Sequence, residues 1–349
     1  MSRIAVVLFN LGGPDGPASV QPFLRNLFAD PAIIAAPTPI RLALAEIISR
    51  TRARSAKANY SVMGGGSPLL GETEAQAGAL TVALARLRPS DEVRCFIAMR
   101  YWRPFIRDAA RQVEAFAPDE VVLAPLYPQY SSTTSASSLE AWRGAYRGEG
   151  REHAICCYFE DEAVVAAQAS LIERTWVAAG RPPGLRLLFS AHGLPERIAA
   201  SGDPYQFQVE ATCARVAERL GDRLGGPLDW QVCYQSRVGP LKWIGPYTDA
   251  AIRQAGRDGK GVILTPIAFV CEHIETLVEL DRDYAKIAAN VGAAPYLRVP
   301  ALGVERLFIE GLSALIDRAL VRPGVGPAGR ACAAGFAKCG LRTFSETSP

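Results

Sequence analysis

Short apolar runs alternate along the chain with longer stretches in which apolar and polar residues follow a helical period. The apolar runs are almost unbroken, which is typical of strands buried on both faces of a parallel sheet. The pattern therefore predicts an α/β fold in which helices cover parallel sheets. Strands are predicted at 3–9, 93–98, 121–126, 154–159, 185–190, 230–234 and 262–268, and helices at 17–28, 72–87, 104–116, 160–178, 203–220, 247–256, 274–290 and 303–320.

Two pairs of segments repeat between the halves of the chain. LFNLGGPD (8–15) and FSAHGLPE (189–196) each continue an apolar strand, and VVLAPL (121–126) is similar to VILTPI (262–267). Because open α/β sheets bind ligands beyond the carboxyl ends of their strands, two such halves would line one cleft. The alignment makes Leu11 and His192 equivalent positions. The alternative is that any two buried strands followed by Gly-Pro turns look alike.

Composition and charge narrow the function classes. The chain has 349 residues and a net charge of +3, which is too mild to indicate nucleic-acid binding. The sequence contains no run of about 18 apolar residues, so it predicts no transmembrane helix. The first residues, MSRIAVVLFNLGGPD, indicate a strand and not a signal peptide, so we expect a cytoplasmic protein. Its eight cysteines are then not expected to form a disulfide framework.

The histidines and glutamates of the second half are candidates for metal and proton chemistry. His192 directly follows an apolar strand, where a rigid sheet presents a side chain to a ligand. His273 lies at another strand-to-helix junction, next to three glutamates spaced three and four residues apart: Glu272, Glu275 and Glu279. Such a row of carboxylates could pass a cation inward and protons outward, and mixed histidine and carboxylate ligands suit ferrous iron. The alternative is a helix start enriched in acids, with the remainder a solvated face.

A second set of residues indicates a flat, anionic ligand. Aromatic, arginine and hydroxyl side chains follow predicted strands at Arg100, Tyr101, Tyr130, Tyr205, Ser236 and Trp243. Taken singly, each is more often structural.

The segment between residues 29 and 57 combines apolar residues among prolines, a short amphipathic helix and a basic end with Arg50, Arg52 and Arg54. It could form an apolar lip whose basic residues meet carboxylates or anionic lipid headgroups. The alternative is a core-packing helix with a basic exit.

These observations predict two Rossmann-like, doubly wound α/β domains whose parallel sheets face a central cleft. The N-terminal domain, with the lip, would span 1–150, and the C-terminal domain, with the metal site, would span 151–320. The Gly- and Ala-rich tail at 321–349 is expected to be loosely ordered.

Taken together, the motifs resemble the ferrochelatases over nearly all of residues 3–320. The matching strings are LFNLGGPD, MGGGSPLL, AMRYWRP, PLYPQYSSTTSASS, LLFSAHGLPERI with GDPY, QSRVGPLKWIGPYTD and PIAFVCEHIETLVELDRDY. The resemblance implies insertion of Fe²⁺ into protoporphyrin IX to form protohaem, the terminal step of haem biosynthesis. The alternatives are a coproporphyrin ferrochelatase, a cobalt chelatase, or a non-catalytic carrier of tetrapyrrole or metal.

The resemblance also implies roles for single residues. His192 and Glu275 would contact the metal and accept the porphyrin protons, and Leu11 would press on the opposite porphyrin face. Glu272, His273 and Glu279 would lie behind them or along the path of protons and metal. The remaining pocket residues would be Arg100, Tyr101, Tyr130, Tyr205, Ser236 and Trp243.

The tail departs from the family pattern. Ferrochelatases that carry a [2Fe–2S] cluster use one internal cysteine and three in a C-terminal extension. This extension supplies Cys332 and Cys339, so four ligands would need both Cys156 and Cys157, whose side chains would point to opposite faces of a strand. Two interpretations therefore remain: the cysteines bind a cluster, or the two cysteines of the tail are incidental thiols. We further expect a monomer or weak dimer, with peripheral contact to the inner membrane and none to nucleic acid.

Overall fold

A computed structural model describes residues 1–224, 228–321, 326 and 332–345. The chain forms two compact units. Unit 1 comprises Met1–Tyr127, Ser131–Cys156 and Ser313–Val325, and unit 2 comprises Pro128–Tyr130, Cys157–Leu312 and Gly326–Pro349. Each unit holds one four-stranded parallel sheet, which confirms the predicted α/β class.

Unit 1 contains the strands β1 (Arg3–Asn10), β2 (Glu92–Met99), β3 (Glu120–Pro125) and β4 (Arg151–Ala154), in the sheet order β2-β1-β3-β4. The central strand β1 is buried from Ile4 onwards, as its unbroken apolar run requires. The helical elements of this unit are a 3₁₀ turn (Pro17–Ser19), α1 (Val20–Phe28), α2 (Thr38–Ser61), α3 (Leu69–Leu87), α4 (Ile106–Phe116) and α5 (Ser135–Ala145).

Unit 2 contains the strands β5 (Leu185–His192), β6 (Trp230–Gln235), β7 (Gly261–Pro266) and β8 (Tyr296–Arg298), in the order β6-β5-β7-β8. Its helical elements are α6 (Glu162–Ala178), α7 (Glu196–Ala200), α8 (Tyr205–Leu224), α9 (Thr248–Arg257), a π-helix (Glu275–Tyr284), α10 (Ala285–Asn290), α11 (Arg306–Ala319) and α12 (Gly340–Ser345). The first part of helix α11, up to Leu312, belongs to unit 2, and the part from Ser313 onwards belongs to unit 1.

The strand register confirms the internal repeat. The proline that ends β3 pairs with Phe9, and the proline that ends β7 pairs with Ser190. Two residues further along each central strand stand Leu11 and His192, which are therefore equivalent positions of the two units. The matching strand orders show that the likeness extends beyond a pair of similar turns.

Three sequence-based expectations were wrong in detail. The predicted strand at 154–159 is a buried loop for most of its length, because β4 ends at Ala154. The lip helix is not short: α2 extends over 24 residues. The short strand β8 was not predicted, because its three residues are only half-buried and form no distinct apolar run. Among the described residues, no helix is both long enough and apolar enough to cross a membrane.

Candidate active site

His192 is the last residue of the central strand β5, and its side chain is 39% exposed. The ring atom Nδ1 lies 2.5 Å from the carbonyl oxygen of Gly193. Since a carbonyl only accepts hydrogen bonds, this contact places a proton on Nδ1 and leaves Nε2 as the acceptor of the neutral ring. The hydroxyl of Tyr205 donates to the carbonyl of His192 at 3.1 Å and so fixes the end of the strand. His192 thus presents a basic nitrogen at the carboxyl edge of the sheet.

The Glu275 carboxylate lies between two imidazoles at the start of the π-helix. Its Oε1 is 3.9 Å from His192 Nε2 and 3.7 Å from His273 Nε2. Its Oε2 accepts hydrogen bonds from Gln235 at 3.3 Å and from the Ser236 hydroxyl at 3.0 Å. Burial alone would raise the pKa of Glu275, but the two histidines, whenever they are protonated, and the hydrogen bonds from His273 and Ser236 outweigh it and lower the pKa to about 2. Glu275 is therefore an ionised carboxylate at neutral pH.

Ser236 joins Glu275 to a second carboxylate, that of Glu279. The Ser236 backbone N–H donates to Glu279 Oε1 at 3.0 Å, and its hydroxyl contacts Glu279 Oε2. Tyr284 also donates to Glu279 Oε1, at 2.7 Å. Burial and the nearby charge of Glu275 raise the pKa of Glu279. Ser236 has φ 61°, a left-handed conformation that is uncommon for a residue with a side chain and that recurs at functional sites.

The turn before the π-helix orients His273. The Thr276 hydroxyl accepts the His273 N–H at 2.9 Å and donates to its carbonyl at 3.0 Å. The ring of His273 packs against Phe269, with the ring centroids 4.5 Å apart. Because π-helical segments occur frequently at functional sites, the start of this helix at Glu275 agrees with a working site.

Glu272, in contrast, is engaged elsewhere. Its carboxylate accepts from Arg298 at 2.5 Å and from the backbone N–H of Ala301 at 2.9 Å. Burial would raise the pKa of Glu272, but the charge of Arg298 lowers it overall. The described contacts of Glu272 therefore anchor the segment after β8.

Trp243 and Tyr130 also belong to unit 2. The Trp243 ring lies 6.2 Å from that of His192, centroid to centroid, and its Nε1 donates to the Val238 carbonyl at 3.1 Å. Tyr130 is buried, and its backbone N–H donates to Gln208 Oε1 at 2.7 Å. Trp243 is thus a neighbour of His192, whereas the backbone of Tyr130 contacts helix α8.

The remaining predicted residues lie in unit 1, around the end of β1. The backbone N–H groups of Arg100 and Tyr101 donate to the carbonyls of Asn10 and Leu11, each at 2.9 Å. The Asn10 side chain accepts the Leu11 N–H at 2.8 Å. Leu11 is therefore held at its carbonyl by the loop that follows β2 and at its N–H by the Asn10 side chain.

Asp30 is a residue of this region that sequence reasoning missed. Its carboxylate is buried and accepts from the Tyr101 hydroxyl at 2.7 Å, the Ser137 hydroxyl at 2.6 Å and Arg100 Nη2 at 2.8 Å. Burial and the Asp30 charge raise the pKa of Tyr101, so its hydroxyl stays a donor. The only signal in the sequence is an acid inside an apolar, proline-rich segment, and that does not name its partners.

The arrangement in unit 2 suits the passage of a metal better than its retention. A neutral imidazole nitrogen and an ionised carboxylate oxygen are suitable ligands for ferrous iron. Within the ranges that the structure describes, no three His, Cys, Asp or Glu side chains form a group that could enclose a metal ion. The site therefore combines a base with an anion.

Comparison with solved structures identifies the fold. SirB from Bacillus subtilis with Fe³⁺ is 12% identical, with a TM-score of 0.51 over 91% of this chain and 96% of that chain. The sirohydrochlorin chelatase SirB from Bacillus subtilis subspecies spizizenii, in complex with cobalt, is 9% identical, with a TM-score of 0.52 over 93% of this chain and 97% of that chain. At these identities the likeness concerns the fold alone, which is that of the chelatases.

Sequence comparison identifies the family. The family model described as Ferrochelatase matches residues 3–320. The ferrochelatase of Caulobacter vibrioides is 59% identical over 343 residues, which are 97% of this chain and 98% of the relative. That of Phenylobacterium zucineum is 55% identical over 341 residues, again 97% and 98%. The chain belongs to the ferrochelatase family, as its motifs predicted, and is an enzyme of haem biosynthesis that inserts a metal into a porphyrin.

Proposed function

We propose that this ferrochelatase inserts Fe²⁺ into protoporphyrin IX, with His192 and Glu275 as the catalytic pair. The observation that carries the proposal is the position of the Glu275 carboxylate, within 4 Å of both His192 Nε2 and His273 Nε2. Family membership supports the reaction class, and the chemistry of this pair supports the residue roles.

Proton removal is the step that His192 serves. Two pyrrole N–H protons must leave as the metal enters, and a base has to lie within hydrogen-bonding reach of them. With Nδ1 directed at Gly193, Nε2 is the nitrogen that accepts a proton. The ionised Glu275 stabilises the resulting imidazolium, and its oxygens offer the incoming Fe²⁺ a hard ligand. Ser236 and Glu279 continue the polar path away from the site.

Porphyrin binding divides the predicted residues into two groups. Leu11 and Trp243 offer apolar faces, and we propose that they pucker the planar macrocycle, a strain worth about 1–5 kcal/mol drawn from remote binding energy. The hydroxyls of Tyr101, Tyr205 and Ser236 donate hydrogen bonds to protein groups, so we propose that these residues contribute shape and positioning to the pocket. Arg100 and Tyr130 complete the proposed lining. The cleft itself stays a prediction.

The test of the catalytic pair is His192→Ala, with porphyrin binding and iron insertion measured on the same anaerobic sample. We expect binding to persist and the insertion rate to fall about 100-fold or more, the usual contribution of a general base. The matched control is His153→Ala, because His153 is also paired with a glutamate, Glu120, at 2.7 Å but lies in unit 1. Unimpaired insertion by the His192 variant would overturn the assignment.

Two further readings predict different outcomes. A coproporphyrin or cobalt chelatase would keep the pair but prefer the other substrate in a direct comparison. A non-catalytic carrier would bind porphyrin tightly without inserting metal. The connected row from Glu275 through Ser236 to Glu279 favours the enzyme, since a carrier needs no route for protons.

We propose that this enzyme is cytoplasmic and that helix α2 makes peripheral contact with an anionic membrane. Ile40 is 54% exposed and Ile47 60% exposed, and the helix continues into Arg50, Arg52 and Arg54. Apolar and basic side chains on one surface helix suit insertion at a headgroup interface. We expect flotation with vesicles that contain phosphatidylglycerol and loss of it in Ile40→Ser/Ile47→Ser. Flotation that survives both changes would contradict this contact.

The cysteines support a [2Fe–2S] cluster in part. Gln208 Nε2 lies 3.6 Å from Cys157 Sγ and 3.2 Å from Cys332 Sγ, and contact with Cys339 raises the pKa of Cys332. Three predicted ligands therefore gather in unit 2, whereas Cys156 belongs to unit 1.

As they stand in the described part of the chain, these thiols do not form a metal cage. We propose that bound iron–sulfur would deprotonate and draw together Cys157, Cys332 and Cys339, with Cys156 as the fourth ligand. Visible absorbance of the purified protein that disappears in Cys332→Ser supports the cluster. A colourless protein, purified anaerobically with normal iron supply, would contradict it.

A further inference from the structure

Arg100 stands beside the end of β1 with its charge already compensated. Its Nη2 lies 2.8 Å from Asp30 Oδ2, and the side chains of Arg100 and Asp30 are 23% and 2% exposed. Because Asp30 is buried and Arg100 is mostly buried, the pair is less screened by salt and solvent than a surface pair, so the two charges largely cancel locally. The positive charge expected of an arginine is therefore largely absent from this surface.

The hydrogen bonds around Asp30 hold the pair in one arrangement. Its Oδ2 also accepts from the hydroxyls of Tyr101 and Ser137, and its Oδ1 accepts from the backbone N–H of Ala32 at 2.8 Å. Arg100 Nε donates in addition to the Ser137 oxygen, at 2.8 Å. A carboxylate has about four acceptor positions, and four donors are present. Because four donors hold the Asp30 side chain and it is only 2% exposed, Asp30 acts on a ligand through Arg100.

The pair is rigidly connected to Leu11. The Arg100 N–H donates to the carbonyl of Asn10, and the Tyr101 N–H donates to that of Leu11. The backbone segments that carry the guanidinium and the leucine are thus joined to each other within unit 1.

We infer that Asp30 is a specificity-determining residue, which neutralises Arg100 beside Leu11 and so favours porphyrins with few carboxylates over those with more. The inference rests on the proposed function, namely on Arg100 and Leu11 facing the porphyrin. An extra substrate carboxylate that loses water at this surface finds no net positive charge to replace it. A dicarboxylate porphyrin is accepted there, and a tetracarboxylate porphyrin is disfavoured.

The test is a double-mutant cycle that removes the charge of Asp30, of Arg100 and of both. The measured quantity is the ratio of kcat/KM for coproporphyrin III to kcat/KM for protoporphyrin IX. Asp30→Asn leaves the surface with one net positive charge, and we expect the ratio to rise about fivefold, as for one charge at moderate distance in a partly hydrated site. Arg100→Gln leaves one net negative charge, and we expect the ratio to fall by a similar factor. The double variant restores neutrality and should return the ratio to near the wild-type value.

Two controls separate charge from packing. Ser137→Ala removes the hydrogen bonds of the Ser137 hydroxyl with Asp30 and with Arg100 but keeps the ion pair, and Asp317→Asn removes a carboxylate that pairs with Arg88 elsewhere in unit 1. Both should leave the ratio unchanged even where they lower thermal stability. A ratio that changes with Ser137→Ala as much as with Asp30→Asn would overturn the inference.

The outcomes also distinguish failure of the inference about Asp30 from failure of the proposed placement of Arg100 against the porphyrin. If Arg100→Gln changes the KM of neither porphyrin, Arg100 does not face the substrate, and the placement falls together with the inference. If Arg100→Gln changes KM but folded Asp30→Asn leaves the ratio at its wild-type value, only the role of Asp30 is overturned. Should Asp30→Asn fail to fold, the sign of the Arg100→Gln effect and its reversal in the double variant decide the question.

Discussion

Units 1 and 2 share a strand order and a register but differ in what stands at the end of the central strand. Unit 1 places Leu11 there, and unit 2 places His192 at the equivalent position. Around His192 the polar groups lead to the ionised Glu275 and to Glu279, whereas around Leu11 they cancel one another in the pair of Arg100 and Asp30. Both units therefore have an equivalent position at the end of the central strand, and the side chains around it determine which of the two positions is suited to catalysis.

The largest expected effect is that of Glu275→Gln. This change removes the negative charge beside His192 with little change of shape, so kcat should fall about 100-fold while the porphyrin Kd changes little. Glu120→Gln is the matched change in unit 1, since Glu120 also pairs with a histidine. We expect it to alter kcat less than about twofold, because it lacks a role in proton transfer. Equal losses in both variants would break the contrast between the units.

Ser236→Ala should have the next largest effect. It removes the hydroxyl that contacts both Glu275 and Glu279, and we expect kcat to fall about tenfold. Loss of a donor to an ionised carboxylate raises its pKa, but the pKa of Glu275 starts at about 2, so the kcat profile near neutral pH should keep its shape. A kcat equal to that of the wild type would mean that the contacts of Ser236 with the two carboxylates do not serve catalysis.

Leu11→Ala should have a smaller effect of a different kind. We expect kcat/KM to fall about fivefold, in line with the loss of about 1 kcal/mol of strain or contact on the macrocycle. Because Leu11 does not titrate, the pH profile should keep its shape. A displaced profile in this variant would show that unit 1 takes part in the proton chemistry.

The smallest expected effect concerns stability away from both strand ends. Burial would raise the pKa of Asp229, but its contacts with Arg186 and Lys260 lower it overall. Its stabilising contribution is therefore present above the unfolded pKa near 4 and is lost as the pH falls through the lower folded value. Asp229→Asn should reduce the free energy of unfolding by up to about 1 kcal/mol at pH 7, and the difference should narrow towards pH 3, as measured by urea denaturation.

The insertion rate provides the control for Asp229→Asn. Asp229 precedes β6 at the amino-terminal edge of the sheet, so kcat of Asp229→Asn should equal that of the wild type. A loss of insertion rate without loss of stability would show that this edge also affects the site.

The sequence was most informative where a local pattern determines the structure. Unbroken apolar runs predicted β1, β2, β3, β5, β6 and β7 but neither β4 nor β8, and the repeated strand-end motifs predicted the equivalence of Leu11 and His192. The helical spacing of Glu275 and Glu279 placed both on one segment, which the structure then connects through Ser236.

Pairings between distant segments could not be predicted in this way. Glu272 contacts Arg298, 26 residues away, and Asp30 contacts Arg100 and Ser137, still farther along the chain. A single sequence shows that an acid and a base are present, but strand order and loop geometry decide which of them meet. The same limit explains why Ser236 was predicted as a pocket residue and not as the link between two carboxylates.

The account is tested most directly by an anaerobic assay of the wild-type chain with Fe²⁺ and either protoporphyrin IX or coproporphyrin III, following the loss of porphyrin fluorescence. It predicts rapid insertion into protoporphyrin IX and a lower kcat/KM for coproporphyrin III. Preference for coproporphyrin III would contradict the proposed substrate and the neutral surface at Arg100. Tight binding of both porphyrins without insertion would contradict the catalytic role of His192 and Glu275.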